Sequence, residues 1–274
     1  MQLNKSRKKK ITLIAEIGEN HLGNILFAKQ MIKLSKRAGA DIAKFQSYNE
    51  SCLKKNDPEF NWFKKVSLTD ENHFALQKEC KRKKINFMSS PFSLERAEFL
   101  CEKLKLKQIK VASCKNSDKN LLKYLDKKCE KIFLSTGLIN LNEIKTALKY
   151  LKNSEVIIMH CVSEYPLKLN NANLLAIKTL KSKFNNHEIG YSDHSIGNLA
   201  CLTAVSLGAT VLEKHFTLNK KMKGTDHVLS ADFNDLKFIK EKAEDIFKLL
   251  GNGEKKPTKK ELKIKKFLFN RFKN

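Results

Sequence analysis

Residues 188–215 read EIGYSDHSIGNLACLTAVSLGATVLEKH. Glu188 to Tyr191 is a short, mostly apolar run followed by Ser192-Asp193-His194. Residues 197–207 carry apolar side chains at helical spacing, and Thr210 to His215 forms a second short run after Gly208. A short run, an amphipathic stretch and another short run describe a strand, a crossover helix and a parallel strand. Both runs end in polar, ionisable residues.

Outward from this unit the alternation covers nearly the whole chain. Six earlier runs have strand character: Ile11 to Glu16, Asp41 to Gln46, Ile85 to Ser89, Gln108 to Ser113, Lys131 to Ser135 and Val156 to Cys161. Helical patterns lie near 25–38, 70–83, 93–104, 117–128, 141–152 and 171–184, and after the last strand near 232–250, where Ser230 or Asp232 supplies the cap. Eight strand-helix units in about 240 residues match an α/β fold of the (β/α)8 TIM-barrel type. An open doubly wound sheet is the alternative, but Gly18-Glu19-Asn20-His21-Leu22-Gly23 after the first strand is not the G-x-G-x-x-G turn that a dinucleotide-binding sheet requires. The expected organisation is a basic extension over 1–10, a barrel over 11–250 and a basic tail over 251–274.

With 274 residues, 41% hydrophobic and 30% charged, the chain has material for a sizeable core. No apolar run approaches the roughly 18 residues of a membrane span, and the N-terminus lacks the pattern of a secretory signal, so a cytoplasmic protein is expected. The net charge is +25, which raises nucleic acid as a partner. Only five of the 54 basic residues are arginines, and residues 1–10 and 254–274 hold +5 and +7 of the excess, leaving +13 for the long middle. Base recognition favours the guanidinium fork, so no nucleic-acid role is expected. Seven scattered cysteines without a Cys-x-x-Cys pair indicate neither a zinc cluster nor a disulfide framework.

Active sites of this barrel gather at the C-terminal ends of the strands. Polar residues stand at all eight of those ends. His194 and His215 end adjacent strands, where two imidazoles with substrate oxygens and water suit a divalent metal such as Mn²⁺. Asp193 and Glu213 are placed to orient the two rings. Lys44 and Lys110 interrupt apolar strands, where a charge costs several kcal/mol unless an anion meets it. With Ser113 and Ser135 they form a candidate site for phosphate or carboxylate. Glu16 shares the parity of Ile14 and is either a base or sugar ligand, or a structural carboxylate paired with Lys44. For Tyr165, before Pro166, and Asp226, in a loop after Gly224, loop packing and turn formation are the commoner roles, and residue type alone does not separate them from substrate contact.

The strings IAEIGENHLGN, AGADIAKFQ, SSPFSLERAEFL, IKVASCKN, IFLSTGL, HCVSEYPL, IGYSDHSIGN, LGATVLEKHFTL and KGTDHVLS resemble, in order, the sialic acid synthase family. The resemblance covers about residues 11–250. It implies condensation of phosphoenolpyruvate with an N-acylated, N-acetylmannosamine-like sugar to a nine-carbon 2-keto acid. It also implies roles: phosphoenolpyruvate on Lys44, Lys110, Ser113 and Ser135; the sugar on Glu16, Tyr165 and Asp226; a metal, Mn²⁺ or Mg²⁺, on His194 and His215; and Ser192 as a further site residue. A homodimer is implied too. Two departures stand out. Ser113-Cys114-Lys115 replaces the family's S-G-E, turning a carboxylate into an ammonium. The chain also reaches Asn274 where the family continues towards a small antifreeze-like domain, whose arginine reaches the partner's site; a separate polypeptide supplying that domain is one expectation. Two other readings are a barrel synthase using a phosphorylated sugar, which needs a second basic phosphate grip, and a non-catalytic basic barrel.

Overall fold

In the computed structural model, residues 11–271 are described. The expected basic extension over 1–10 lies outside them, as do residues 272–274. Eight strands run parallel: β1 Thr12–Gly18, β2 Ile42–Ser47, β3 Asn86–Pro91, β4 Gln108–Val111, β5 Lys131–Ser135, β6 Glu155–Cys161, β7 Glu188–Asp193 and β8 Val211–His215. The sheet order is β3-β2-β1-β8-β7-β6-β5-β4, with β1 hydrogen-bonded to β8 and β3 lying beside β4. An open sheet would leave its first and last strands apart, so this is the expected TIM barrel.

Alternate parity separates two layers of core. Ile14, Ile42, Met88, Phe133, Ile157, Met159 and Val211 fill the barrel interior. Leu13, Ala15 and Ile17, on the opposite parity of β1, pack towards the surrounding helices. Those helices are α1 Ile25–Arg37, α2 Phe60–Val66, α3 Asp70–Lys83, α4 Leu94–Glu98, α5 Lys119–Lys128, α6 Leu141–Leu148, α7 Ala176–Lys183, α8 Leu199–Ser206, α9 Phe233–Leu250 and α10 Lys259–Phe269. Asp232 makes a capping box at α9, deciding between the two expected caps. Near the N-terminal face, α9 is pinned by Lys240, whose Nζ donates to the Ile11 carbonyl at 2.6 Å and to Asp41 at 2.9 Å. No described helix is long and apolar enough to cross a membrane, and all seven cysteines are free.

Several expectations shift. The helix expected over 171–184 begins at Ala176, because Asn173 adopts φ +41° and interrupts the turns before it. After α4 the helical path of 93–104 continues as a wider π-turn over Phe99–Lys103. Two helices were not anticipated. α2 is only seven residues long, below what periodicity resolves, and α10 lies within the stretch read as a basic tail.

Interior packing yields a first prediction. Gly190 faces into the barrel, where an added Cβ would lie 2.3 Å from Met159 Sδ and 2.9 Å from the Val211 carbonyl oxygen. Gly190→Ala is therefore expected to destabilise the barrel by about 1–3 kcal/mol, read as a lower urea midpoint at unchanged slope. An unshifted midpoint would show that β6 and β7 are not packed this closely.

Candidate active site

The register of the strands sets the mouth of the barrel. Glu16 lies beside Lys44 on one side and His215 on the other, and Ser192 lies between Cys161 and Glu213. All these side chains share the inward parity and stand above the apolar interior. The cavity they bound measures about 650 Å³. It brings together ten of the residues singled out from sequence: Glu16, Lys44, Lys110, Ser113, Ser135, Tyr165, Ser192, His194, His215 and Asp226.

Its floor is a compact charge quartet. Lys110 Nζ lies 2.7 Å from Glu213 Oε1, Lys44 Nζ lies 2.8 Å from Glu16 Oε2, and Lys44 reaches Glu213 Oε2 at 3.7 Å. All four side chains are buried. Ser192 Oγ donates to Glu213 at 2.9 Å, and Lys44 donates to Ser90 Oγ at 3.4 Å. Burial opposes the charge on Glu213, but Lys110 and Lys44, helped by Ser192, outweigh it and hold the carboxyl well below its ordinary value. Burial likewise opposes the Lys44 ammonium, and Glu16 with Glu213 more than offsets it. The anions that make lysines tolerable in these strands are thus the protein's own, and the quartet is neutral before any substrate arrives.

Glu213 corrects the expectation that it orients an imidazole, since its contacts are the two lysines and Ser192. Asp193 is corrected in the same way. It points out of the barrel, 2.8 Å from Lys214 Nζ, and accepts from Ser195 N at 2.9 Å and Tyr191 Oη at 3.0 Å. Lys214 also donates to the Ser195 carbonyl. This buried pair braces the turn that carries His194 instead of touching its ring.

The two rings are held by other partners. His194 Nδ1 lies 2.7 Å from the Val162 carbonyl, and His215 Nδ1 lies 3.1 Å from Asp226 Oδ2. Their centroids are 5.4 Å apart. Tyr165, 51% exposed, covers them from above, 4.0 Å from the His194 centroid and edge-on to His215 at 6.1 Å. With Nδ1 of His194 on a carbonyl and Nδ1 of His215 facing a carboxylate, Nε2 is the nitrogen left for a ligand. The described residues hold no cluster of three or more His, Cys, Asp or Glu side chains suited to a metal. Two imidazoles whose Nδ1 atoms face protein oxygens fit a divalent ion that takes its remaining ligands from substrate and water.

The serine wall depends on a close approach. A Cβ on Gly137 would lie 2.5 Å from Ser163 Oγ and 2.6 Å from Ser113 Oγ, so glycine leaves room for both hydroxyls. Ser163 Oγ is buried without a partner. Asn116 Nδ2 donates to the carbonyls of Ser135 and Gly137 and fixes this turn. Lys115, the departure noted in sequence, does not line the cavity. Sequence reasoning missed Glu19, Glu59 and Phe63, which also line it and come from the loop after β1, from the N-cap of α2 and from α2 itself. Their signal was the aromatic group Phe60, Trp62 and Phe63, too short a stretch to read as an element.

The profile of the NeuB family matches residues 31–255. The chain is 38% identical over 275 residues to the N,N'-diacetyllegionaminic acid synthase of Campylobacter jejuni, covering 93% of this chain and 82% of that one. It is 34% identical over 277 residues to a pseudaminic acid synthase of the same species, covering 94% and 80%. The crystal structure of an N-acetylneuraminic acid synthetase from Leptospira borgpetersenii matches with a TM-score of 0.90 at 34% identity, covering 96% of this chain and 93% of that one. The chain belongs to the NeuB family of nonulosonic acid synthases.

Proposed function

We propose that this cavity condenses phosphoenolpyruvate with an unphosphorylated N-acylated aminosugar and water, giving a nine-carbon 2-keto sugar acid and inorganic phosphate. The observation that carries the reading is the division of one cavity into a lysine and serine floor and a wall of histidine, tyrosine and carboxylate. Lys44 and Lys110 bind the phosphate and carboxylate by exchanging part of their pairing with Glu16 and Glu213 for the substrate's anions. Ser113, Ser135 and the unpaired Ser163 hydroxyl add neutral donors beside them.

His194 and His215 would hold a divalent metal, Mn²⁺ or Mg²⁺, which when bound supplies Lewis-acid polarisation of the sugar aldehyde. Lys44 and Lys110 keep carbon 3 of phosphoenolpyruvate aimed at that aldehyde carbon, a positioning role. The carbon 2–carbon 3 π-electrons of phosphoenolpyruvate form the new bond from carbon 3 to the aldehyde carbon, and carbon 2 is left electron-poor. The aldehyde π-electrons pass to its oxygen, which takes up a proton and becomes a hydroxyl. Water then adds at carbon 2, and breaking the carbon-oxygen bond expels phosphate. Glu16, buried beside Lys44 and reached by Gln46 Nε2 at 3.4 Å, is placed to accept the proton that this water gives up. Ser192 keeps Glu213 on Lys110, so the floor stays preorganised while charge moves above it. Tyr165 and Asp226 bound the sugar side of the cavity.

Charge favours an unphosphorylated acceptor. Among the described residues, Lys44 and Lys110 are the only lysine or arginine side chains lining the cavity, and both belong to the floor. No second basic grip is left for a sugar phosphate. The test is a mass-spectrometric acceptor screen with phosphoenolpyruvate and Mn²⁺. Products from N-acetylmannosamine or a diacetamido hexose are expected, at least tenfold above those from the 6-phosphate sugar. Product from the phosphorylated sugar alone would overturn the assignment. A homodimer, as in the sialic acid synthase family, is part of the same proposal.

A further inference from the structure

Glu19 follows the first strand and is 3% exposed, yet it lines the cavity. Its carboxyl joins three segments. Trp62 Nε1, from α2, donates to Oε2 at 3.0 Å, and the Thr225 hydroxyl, from the loop after β8, donates to Oε1. The groups facing it are Glu16 on β1, Tyr48 just beyond β2, Glu59 and Trp62 on or beside α2, and Thr225 and Asp226 after β8. No cation among the described residues pairs with it. Burial first, then the Asp226 charge, push its carboxyl up to about 8 against the opposing Trp62 hydrogen bond. At neutral pH it therefore holds a proton and is donor and acceptor at once, the pairing that suits a hydroxyl or amide group and not a phosphate.

We propose that Glu19 is a specificity-determining residue: held by Trp62 and Thr225, its carboxyl hydrogen-bonds a hydroxyl or acetamido group of the acceptor sugar. This rests on the synthase reading above and adds a residue that reads the acceptor. Glu19 stands on the wall opposite the lysine floor in function: it touches no group assigned to phosphoenolpyruvate. Ionisation of Glu19 next to Asp226 removes its donor and adds a second negative charge to the sugar side. Sugar binding is then strongest below pH 8 and weakens as pH rises through that value.

Trp62 is the chain's one tryptophan, so its emission reports directly on this contact. The experiment titrates the full chain with N-acetylmannosamine and with a diacetamido hexose from about pH 6 to pH 9, following Trp62 emission, with sugar and phosphoenolpyruvate KM measured alongside. At neutral pH, Glu19→Ala is expected to weaken sugar binding at least about tenfold and Glu19→Gln by less than about threefold, with phosphoenolpyruvate KM unchanged in both. The wild type loses sugar affinity with a midpoint near 8, and Glu19→Gln does not. Wild-type sugar affinity in Glu19→Ala, equal losses for both substrates, or an alkaline loss that persists in Glu19→Gln would overturn the proposal. Sugar binding with this profile but no phosphate release would contradict the synthase reading and leave Glu19 standing. Turnover with a sugar KM indifferent to Glu19 would do the reverse, and a wild type that neither binds nor turns over any acceptor would overturn both.

Discussion

Replacing Lys110 with methionine is expected to remove phosphoenolpyruvate binding and to destabilise the barrel at the same time. The Lys110 ammonium is 2.7 Å from Glu213, and both side chains are at most 4% exposed. Without it, Glu213 keeps only Ser192 and a Lys44 contact at 3.7 Å, because Lys44 is committed to Glu16. Removing one partner of a buried pair costs about 3–5 kcal/mol, mostly the penalty of the charge left behind. Urea unfolding should show a loss of that order in Lys110→Met. The double variant Lys110→Met/Glu213→Gln should recover most of it, since the stranded charge is gone, while phosphoenolpyruvate turnover stays absent. A single variant as stable as wild type, or a double variant that regains turnover, would contradict the floor described above. The sign with pH follows from the depressed Glu213 carboxyl. Its contribution is present above the ordinary carboxylate value and is lost as pH falls through its lower folded value, so Glu213→Gln should flatten the acid limb of stability.

His215→Ala should act on the opposite wall without unfolding the chain. His215 sits at the mouth on β8, above the apolar interior, and its removal leaves Asp226 lining the cavity beside Thr225. Loss of one of two imidazoles is expected to weaken Mn²⁺ binding by more than about 100-fold and to lower kcat at least as much. Asp226→Asn, which keeps the ring but weakens its brace 3.1 Å away, should fall between, about 10–100-fold down in metal affinity. Metal titration by calorimetry and the urea midpoint separate these effects. An unchanged titration in His215→Ala would remove it from the ligand set.

How much of this was legible depended on period and position. Strand parity put Glu16 on the face of Ile14, because a two-residue repeat is readable in a single strand, and a charge interrupting an apolar run singled out Lys44 and Lys110. The terminal positions of β7 and β8 likewise placed His194 and His215 side by side. What stayed hidden was pairing across the barrel. Glu213 lies two residues before a histidine in sequence but meets lysines from β2 and β4, over 100 residues away for Lys110. Adjacent residues in a strand face opposite ways, so Asp193 and Lys214 could not serve the inward rings next to them. Glu19 was hidden for a different reason. It gains its meaning from Trp62 on a seven-residue helix and Thr225 some 200 residues on, contacts that no local pattern encodes.

The central claim is that one cavity joins phosphoenolpyruvate to an unphosphorylated aminosugar. The most direct measurement is phosphate release from phosphoenolpyruvate by the full chain, with Mn²⁺ or Mg²⁺ and with or without acceptor. The expected result is release only when metal and an N-acylated aminosugar are both present, one phosphate for each nine-carbon keto acid formed. Release that ignores the acceptor, or none with any acceptor of this class, would contradict it.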